Sequence, residues 1–129
     1  MRILLDTHAF LWFCGGDQRL TQKARETIEN SSNQSLISIA SLWEMTIKIS
    51  LGKLKITQSI DNFFQDQIEN NGFDLMPIEF LHLNILVNLP FNHRDPFDRL
   101  LIAQAISEKI PIISSDKAFD TYPVNRLWL

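Results

Sequence analysis

The chain of 129 residues contains very little cysteine, tyrosine and glycine, with one, one and four residues respectively. A single cysteine, Cys14, cannot form an internal disulfide, which excludes a disulfide-stapled secreted scaffold and suits a reducing compartment. We interpret Cys14 as a small apolar residue of the core. Long apolar runs are also absent, and no stretch reaches the roughly 20 residues that a membrane-spanning helix needs.

The sequence also lacks an excess of positive charge, since its formal net charge is −3. The totals therefore show no basic clamp for nucleic acid, although a local basic patch stays possible. Arg2 and the apolar residues after it imitate a signal peptide, but Asp6 and His8 interrupt the run and no small-residue cleavage site follows. With 45% hydrophobic residues, we predict a single cytoplasmic domain over residues 1–129, with no membrane association.

Short apolar runs alternate with helical patterns along the chain. The runs are mostly uninterrupted and rich in β-branched residues, as in strands buried on both faces. The predicted strands are residues 3–5, 36–39, 75–78, 110–113 and an edge strand at 126–129, and the predicted helices are residues 20–30, 40–51, 61–70, 79–88 and 96–109. This alternation predicts an α/β domain with a largely parallel sheet.

Four acidic residues fall where such a sheet binds its ligands, beyond the carboxyl ends of its strands. Asp6 and Asp116 directly follow the first and fourth strands. Glu44 lies about one turn into the helix after the second strand, and Asp98 lies in the first turn of the helix before the fourth. Their separation along the chain predicts a composite acidic site.

A site of this kind needs a compensating charge. Two carboxylates about 4 Å apart repel by roughly 4 kcal/mol at an effective dielectric constant near 20. A cluster therefore takes up protons or binds cations. Oxygen ligands without a nearby cysteine–histidine set favour Mg²⁺ or Mn²⁺, and such ions commonly assist phosphodiester hydrolysis.

Each acid also has an ordinary structural interpretation, which the sequence leaves open. Asp6 with Thr7 could cap a short helix, Glu44 could close a capping box with Ser41, and Asp116 could be a turn or cap residue. In the segment H-R-D-P-F-D-R-L-L-I-A-Q-A, residues 93–105, Asp95 fits the N-cap of a helix that begins with proline. We predict that Asp95 caps this helix, while Asp98 faces the cleft.

The segments L-L-D-T-H, S-L-W-E, D-P-F-D-R-L-L-I-A-Q-A and I-I-S-S-D together resemble the PIN-domain ribonucleases, in particular VapC-like toxins of toxin–antitoxin pairs. The resemblance spans residues 2–129 and implies a five-stranded, mostly parallel sheet flanked by helices. It implies that Asp6, Glu44, Asp98 and Asp116 form an acidic metal site, with Thr7 as the hydroxyl residue beside it. It further implies RNA cleavage with Mg²⁺ or Mn²⁺, a homodimer and inhibition by a cognate antitoxin protein.

Two surfaces follow as expectations. Basic residues near the acids could contact the RNA backbone or simply form a solvated face; they are Lys48, Lys53, Lys55, Arg94, Arg99 and Lys117. The predicted helix 40–51 and the corner after it carry more apolar residues than one helix face needs, namely Trp43, Ile47, Leu51, Leu54 and Ile56. We expect part of that surface to be exposed and to bind the antitoxin, with burial in the core or a homodimer as the alternative.

Two rival functions make different demands on the sequence from those of the ribonuclease. A haloacid-dehalogenase-like phosphatase would carry a second aspartate two residues after Asp6, where this chain has His8. A non-catalytic RNA-binding or scaffold module could keep the same fold, but the intact set of acids argues against it.

Overall fold

A computed structural model describes residues 1–128, and within them five parallel strands form one sheet in the order β3-β2-β1-β4-β5. The strands are β1 (Arg2–Leu5), β2 (Gln34–Ser38), β3 (Asp74–Met76), β4 (Ile112–Ile113) and β5 (Arg126–Leu127). The predicted α/β fold with a five-stranded parallel sheet is confirmed. The last run supplies an edge strand as predicted, although Leu129 lies outside the described residues.

Helices connect the strands and cover the sheet. They are α1 (Thr7–Cys14), α2 (Gln22–Glu29), α3 (Ile39–Ser50), α4 (Ile60–Phe64), α5 (Phe80–Val87) and α6 (Pro96–Glu108), with a π-helical turn (Gln65–Glu69) after α4 and a 3₁₀ turn (Lys117–Thr121) after β4. None of the helices in residues 1–128 combines the length and the apolar character needed to cross a membrane.

The second strand ends one residue earlier than its apolar pattern predicts. Ser38 has extended backbone angles, and its side chain accepts a hydrogen bond from the Ala40 N–H, so Ser38 is the N-cap of α3. Ile39 is therefore the first residue of the helix. At the other end of α3, Gly52 has φ +73°, a left-handed conformation that glycine adopts without a steric penalty.

Apolar side chains fill the space on both faces of the sheet. Successive residues of a strand point to opposite faces, and Leu4 accordingly belongs to a different core cluster from Ile3 and Leu5. Helices α1, α2 and α3 pack on the Ile3 face, while α6 contributes Leu101 and Ile102 to the Leu4 face. This two-sided burial explains why the predicted strands read as continuous apolar runs.

The carboxyl ends of the central strands lie side by side. Leu5 pairs with Ile37 of β2 and with Ile113 of β4. The Asp6 N–H continues the ladder by donating to the Ile113 carbonyl oxygen at 3.0 Å. Residues directly after β1 and β4 are thereby brought to the same edge of the sheet.

Candidate metal centre

The structure brings the four predicted acids together at this edge. They come from four segments: Asp6 follows β1, Glu44 lies in α3, Asp98 lies in the first turn of α6, and Asp116 follows β4. The negative charges of Asp6 and Glu44 both act on Asp98, and that of Asp116 acts on Asp6. Acids as far apart in the sequence as Asp6 and Asp116 therefore lie close enough for their charges to interact.

Asp6 is both a helix cap and a buried member of this cluster. Its Oδ1 accepts a hydrogen bond from the Ala9 N–H at 2.7 Å and so begins α1. Burial raises the pKa of Asp6, and hydrogen bonds from Ser114 and the Ala9 N–H offset part of that effect. The two interpretations of this residue, cap and site acid, are compatible because one carboxylate has several acceptor positions.

Glu44 is buried, and neighbouring side chains bind both of its oxygens. Thr7 Oγ1 donates to Glu44 Oε1 at 2.7 Å, and Lys48 Nζ lies 3.1 Å from Glu44 Oε2. The alternative of a capping box with Ser41 is wrong, because α3 begins at Ile39 and Ser38 is its N-cap. Lys48, expected at an RNA phosphate, forms an ion pair with Glu44 here.

The two aspartates of the D-P-F-D segment have different surroundings, and Asp95 caps the helix as predicted. Asp95 Oδ1 accepts hydrogen bonds from the N–H groups of Phe97 and Asp98, at 2.8 and 3.0 Å, and caps α6. Burial raises the pKa of Asp98 to about 7, and repulsion from Asp95 and Asp6 adds to the effect. A carboxyl group in this state exchanges its proton readily for a cation.

Asp116 contacts a residue that the sequence analysis missed. Asp116 Oδ2 lies 2.9 Å from His93 Nε2, and the same nitrogen lies 3.3 Å from Asp98 Oδ2. Burial alone would raise the pKa of Asp116, but hydrogen bonds from the Ala118 N–H and His93 outweigh it, and the pKa is lowered. The sequence places His93 two residues before the helix cap at Asp95, and this closeness to the predicted site is the feature that could have drawn attention to it.

Arg99 has a structural role in place of the expected phosphate contact. Its side chain is buried and donates to the Leu89 and Pro90 carbonyl oxygens at 3.1 and 2.8 Å. The guanidinium carbon also lies 4.0 Å from the centre of the Phe91 ring. These contacts attach the connection before α6 to the helix itself. Lys117, by contrast, is exposed next to Asp116.

The residues present fit a hard divalent cation. Carboxylate oxygens of Asp98 and Asp116 and a ring nitrogen of His93 all lie within 4.8 Å of one another, and the carboxylate oxygens are the donors that Mg²⁺ and Mn²⁺ prefer. Mutual repulsion and burial leave Asp98 with a pKa near neutrality, which is the signature of a site short of positive charge. The charges of Asp6 and Glu44 also act on Asp98 at this place.

The fold and site thus define an α/β protein with a carboxylate centre at the carboxyl edge of a parallel sheet, suited to a divalent cation. The family model described as "PIN domain" matches residues 3–125, and the chain belongs to this family. No curated protein sequence is significantly similar to it.

Several solved structures share this fold, and one of them is described as a member of the VapBC family of toxin–antitoxin systems. VapBC2 from Rickettsia felis, bound to a promoter DNA fragment, superposes with a TM-score of 0.75 at 15% identity, covering 100% of both chains. FitAcB from Neisseria gonorrhoeae gives a TM-score of 0.66 at 14% identity, covering 97% of this chain and 96% of that one. VapBC-5 from Mycobacterium tuberculosis gives 0.64 at 15% identity, covering 99% and 98%. At these identities the likeness concerns the fold.

Proposed function

We propose that this protein is a Mg²⁺- or Mn²⁺-dependent ribonuclease that hydrolyses RNA phosphodiester bonds and serves as the toxin of a toxin–antitoxin pair. The observation that carries the proposal is the convergence of Asp6, Glu44, Asp98 and Asp116 from four segments at one edge of the sheet. Membership of the PIN domain family supports it. A cytoplasmic location belongs to the same proposal.

In this proposal the four acids have two different roles. Asp6, Asp98 and Asp116 hold the cation, and Glu44 either binds it or orients the attacking water. When bound, the ion supplies a Lewis acid that polarises the scissile phosphate and lowers the pKa of water. Thr7 and Lys48 fix the two oxygens of Glu44, so that this carboxylate is already oriented before substrate arrives.

A basic groove beside Glu44 supports RNA as the substrate. The cavity measures about 430 Å³ and opens between α1 and the end of α3; its lining includes Trp12, Lys53 and Lys55, together with Arg19 and Lys48, which are ion-paired with Asp17 and Glu44. Cations that follow a groove attract the phosphate backbone, and aromatic rings provide stacking surfaces for bases. Beyond these two ion pairs, Lys53 and Lys55 give the groove a local excess of positive charge, which the net charge of −3 does not reveal.

An exposed apolar surface on α3 supports an antitoxin partner. Trp43 is 58% and Leu51 62% exposed, and Ile47 between them is half-buried. The Trp43 ring packs edge-on against Phe97, the residue before Asp98, with ring centres 5.1 Å apart. A protein segment bound along this surface would lie next to the acids and obstruct the cleft. An arginine from it could supply the positive charge that a cation otherwise provides.

A second apolar surface supports the expected homodimer. On one side of α5 and just after it, Phe80, Leu83, Val87 and Phe91 are exposed, by 91% and 76% for Phe80 and Val87. An exposed apolar patch on one side of a helix marks an interface. Because the patch offers no charge for a polar partner, its natural complement is the same patch on a second copy, related by a two-fold axis.

A nuclease assay with a titrated metal tests the central proposal. The purified chain should cleave RNA when Mg²⁺ or Mn²⁺ is added and stop when a chelator is present in excess. Equal cleavage in chelator would contradict the metal mechanism. Binding of RNA without cleavage at any metal concentration would favour the rival interpretation, a non-catalytic module that has kept the fold.

A further inference from the structure

His93 is fixed in place from several directions. It lies in the connection between α5 and α6, and its side chain is only 14% exposed. Its backbone N–H donates to the Tyr122 hydroxyl oxygen at 2.8 Å, and its ring packs edge-on against Phe119, with ring centres 5.8 Å apart. The imidazole therefore has a defined orientation relative to the acids.

The hydrogen bonds of the ring determine which nitrogen carries the proton. Nδ1 accepts from the Asp95 N–H at 3.1 Å, and a nitrogen that accepts a hydrogen bond has no proton of its own. The proton of the neutral ring is therefore on Nε2. That N–H donates to Asp116 Oδ2 at 2.9 Å, and Asp98 Oδ2 lies 3.3 Å from the same nitrogen.

We propose that His93 is a positioning residue of the acidic site, whose Nε2–H group holds Asp116 next to Asp98 and which does not itself bind the cation. The inference rests on the proposed metal-dependent function. A histidine ligand must direct an unprotonated nitrogen at the metal. Here the unprotonated nitrogen is directed at the backbone of Asp95, and the protonated one faces the acids.

The arrangement links the helix cap to the metal centre. Asp95 caps α6 with its carboxylate and sets the His93 tautomer with its backbone N–H. His93 in turn connects Asp98, which belongs to α6, with Asp116, which follows β4. A donor that binds Asp116 and lies 3.3 Å from Asp98 Oδ2 offsets part of the repulsion between the two carboxylates, so that they stay close before a cation arrives. Loss of such a supporting hydrogen bond typically lowers metal affinity about 10- to 100-fold.

Nuclear magnetic resonance on the unaltered chain tests the tautomer. In protein labelled with ¹⁵N-histidine, the two-bond proton–nitrogen spectrum should show His93 with a protonated Nε2 and a bare Nδ1. The same tautomer should persist after saturation with Mg²⁺. A change to protonated Nδ1 on adding Mg²⁺ would identify His93 as a ligand and overturn the inference. The spectrum of His93→Gln, which lacks one set of signals, assigns the resonances.

Metal affinity of two variants tests the positioning role without RNA. His93→Phe keeps an aromatic ring against Phe119 but removes the donor, and we expect it to weaken Mn²⁺ binding about 10- to 100-fold in calorimetry. His93→Gln can place an amide N–H near the position of Nε2 and should bind Mn²⁺ within about threefold of the wild type. Thermal unfolding in chelator checks that both variants fold.

The possible results separate this inference from the proposed function. Unchanged Mn²⁺ affinity in His93→Phe, or equally weak binding by both variants, would overturn the positioning role while the metal site stands. Absence of Mn²⁺ binding by the wild-type chain would overturn the metal site and this inference together.

Discussion

Thr7 and Glu44 are joined by a hydrogen bond of 2.7 Å from Thr7 Oγ1 to Glu44 Oε1, between the first turn of α1 and the middle of α3. Both side chains are buried, and the Ser41 hydroxyl lies 3.0 Å from the Thr7 hydroxyl. Thr7, which directly follows Asp6, thus orients the carboxylate of Glu44 in α3.

Replacement of Thr7 measures the value of that orientation. Thr7→Val keeps the shape and removes the donor, so Glu44 loses a partner in a buried place. We expect the free energy of unfolding to fall by about 1.5 to 3 kcal/mol, the usual range for a hydrogen bond to a charged group. RNA cleavage should slow about tenfold or more. Thr7→Ser retains the hydroxyl and should behave like the wild type in both urea unfolding and kcat; a Thr7→Val variant with full activity would refute the role of Thr7.

Asp98 and Asp95 should respond differently to the same substitution. Asp98→Asn removes a charge from the metal site and should raise the activation barrier by about 3 kcal/mol, which is roughly a hundredfold in rate. Asp95→Asn keeps a good N-cap residue and an unchanged backbone N–H toward His93, so stability should hardly change. The measurements are kcat with Mn²⁺ and urea unfolding. Loss of activity in Asp95→Asn with tolerance of Asp98→Asn would reverse the assignment.

The sequence indicated these local features more reliably than it did the tertiary ones. The cap at Asp95 and the strands near Asp6 and Asp116 follow from local propensity and apolar runs, and the structure confirms them. Arg99 was grouped with Asp98 because they are adjacent in sequence. Consecutive residues of a helix point about 100° apart, so Asp98 faces the cleft while Arg99 faces the interior.

The contacts of His93 could not be predicted for a related reason. His93 lies in an irregular connection, where no periodicity indicates which way a side chain points. Its partner Asp116 is 23 positions away in the sequence. Tertiary contacts, namely ring packing against Phe119 and a hydrogen bond to the Tyr122 hydroxyl, hold His93 beside it. Similarly, the alternative of a capping box between Ser41 and Glu44 fails because Ser41 lies inside α3, whose N-cap is Ser38.

The pKa of Asp98 predicts a pH dependence in metal-free protein. Its folded-state pKa is about 7, above the ordinary value of 3.8, so the folded chain holds this proton more tightly than the unfolded chain. Stability from this group is therefore fully present below about pH 4 and is lost as the pH rises to about 7. One such group contributes up to roughly 1.4 kcal/mol per pH unit.

Urea unfolding in chelator at several pH values between 4 and 8 would measure this slope. Asp98→Asn should flatten it, and saturating Mn²⁺ should remove it, because the cation replaces the proton. The same competition requires that affinity for Mn²⁺ decreases below about pH 7. A slope that is identical in the wild type and Asp98→Asn would contradict the assignment of this titration to Asp98.

The exposed side of α5 predicts self-association that a single charge disrupts. Val87→Asp places a carboxylate in the middle of the apolar surface, where a second copy would bury it without a partner. Analytical ultracentrifugation should show a dimer for the wild type and a monomer for the variant. Gln22→Asp, which adds the same charge on the exposed face of α2, is the control and should remain dimeric. A wild-type monomer at high concentration would contradict the dimer.

The apolar surface of α3 predicts where the antitoxin binds. Trp43 is largely exposed yet held by its contact with Phe97, and an ordered, exposed tryptophan is the kind of side chain that dominates binding energy at interfaces. We expect Trp43→Ala to weaken binding of the cognate antitoxin by about 2 kcal/mol or more, roughly 30-fold in Kd. Leu51→Asp should have a similar effect, because it introduces a charge one helical turn beyond Ile47.

Isothermal titration with the purified antitoxin decides the matter, and circular dichroism verifies that each variant is folded. Val87→Asp, on the α5 surface, is the matched control and should keep its antitoxin affinity if the two surfaces serve different partners. Full affinity in folded Trp43→Ala and Leu51→Asp variants would place the antitoxin elsewhere. Loss of affinity in Val87→Asp instead would transfer the antitoxin to α5, and the close approach of Trp43 to Phe97 would then have only a structural meaning.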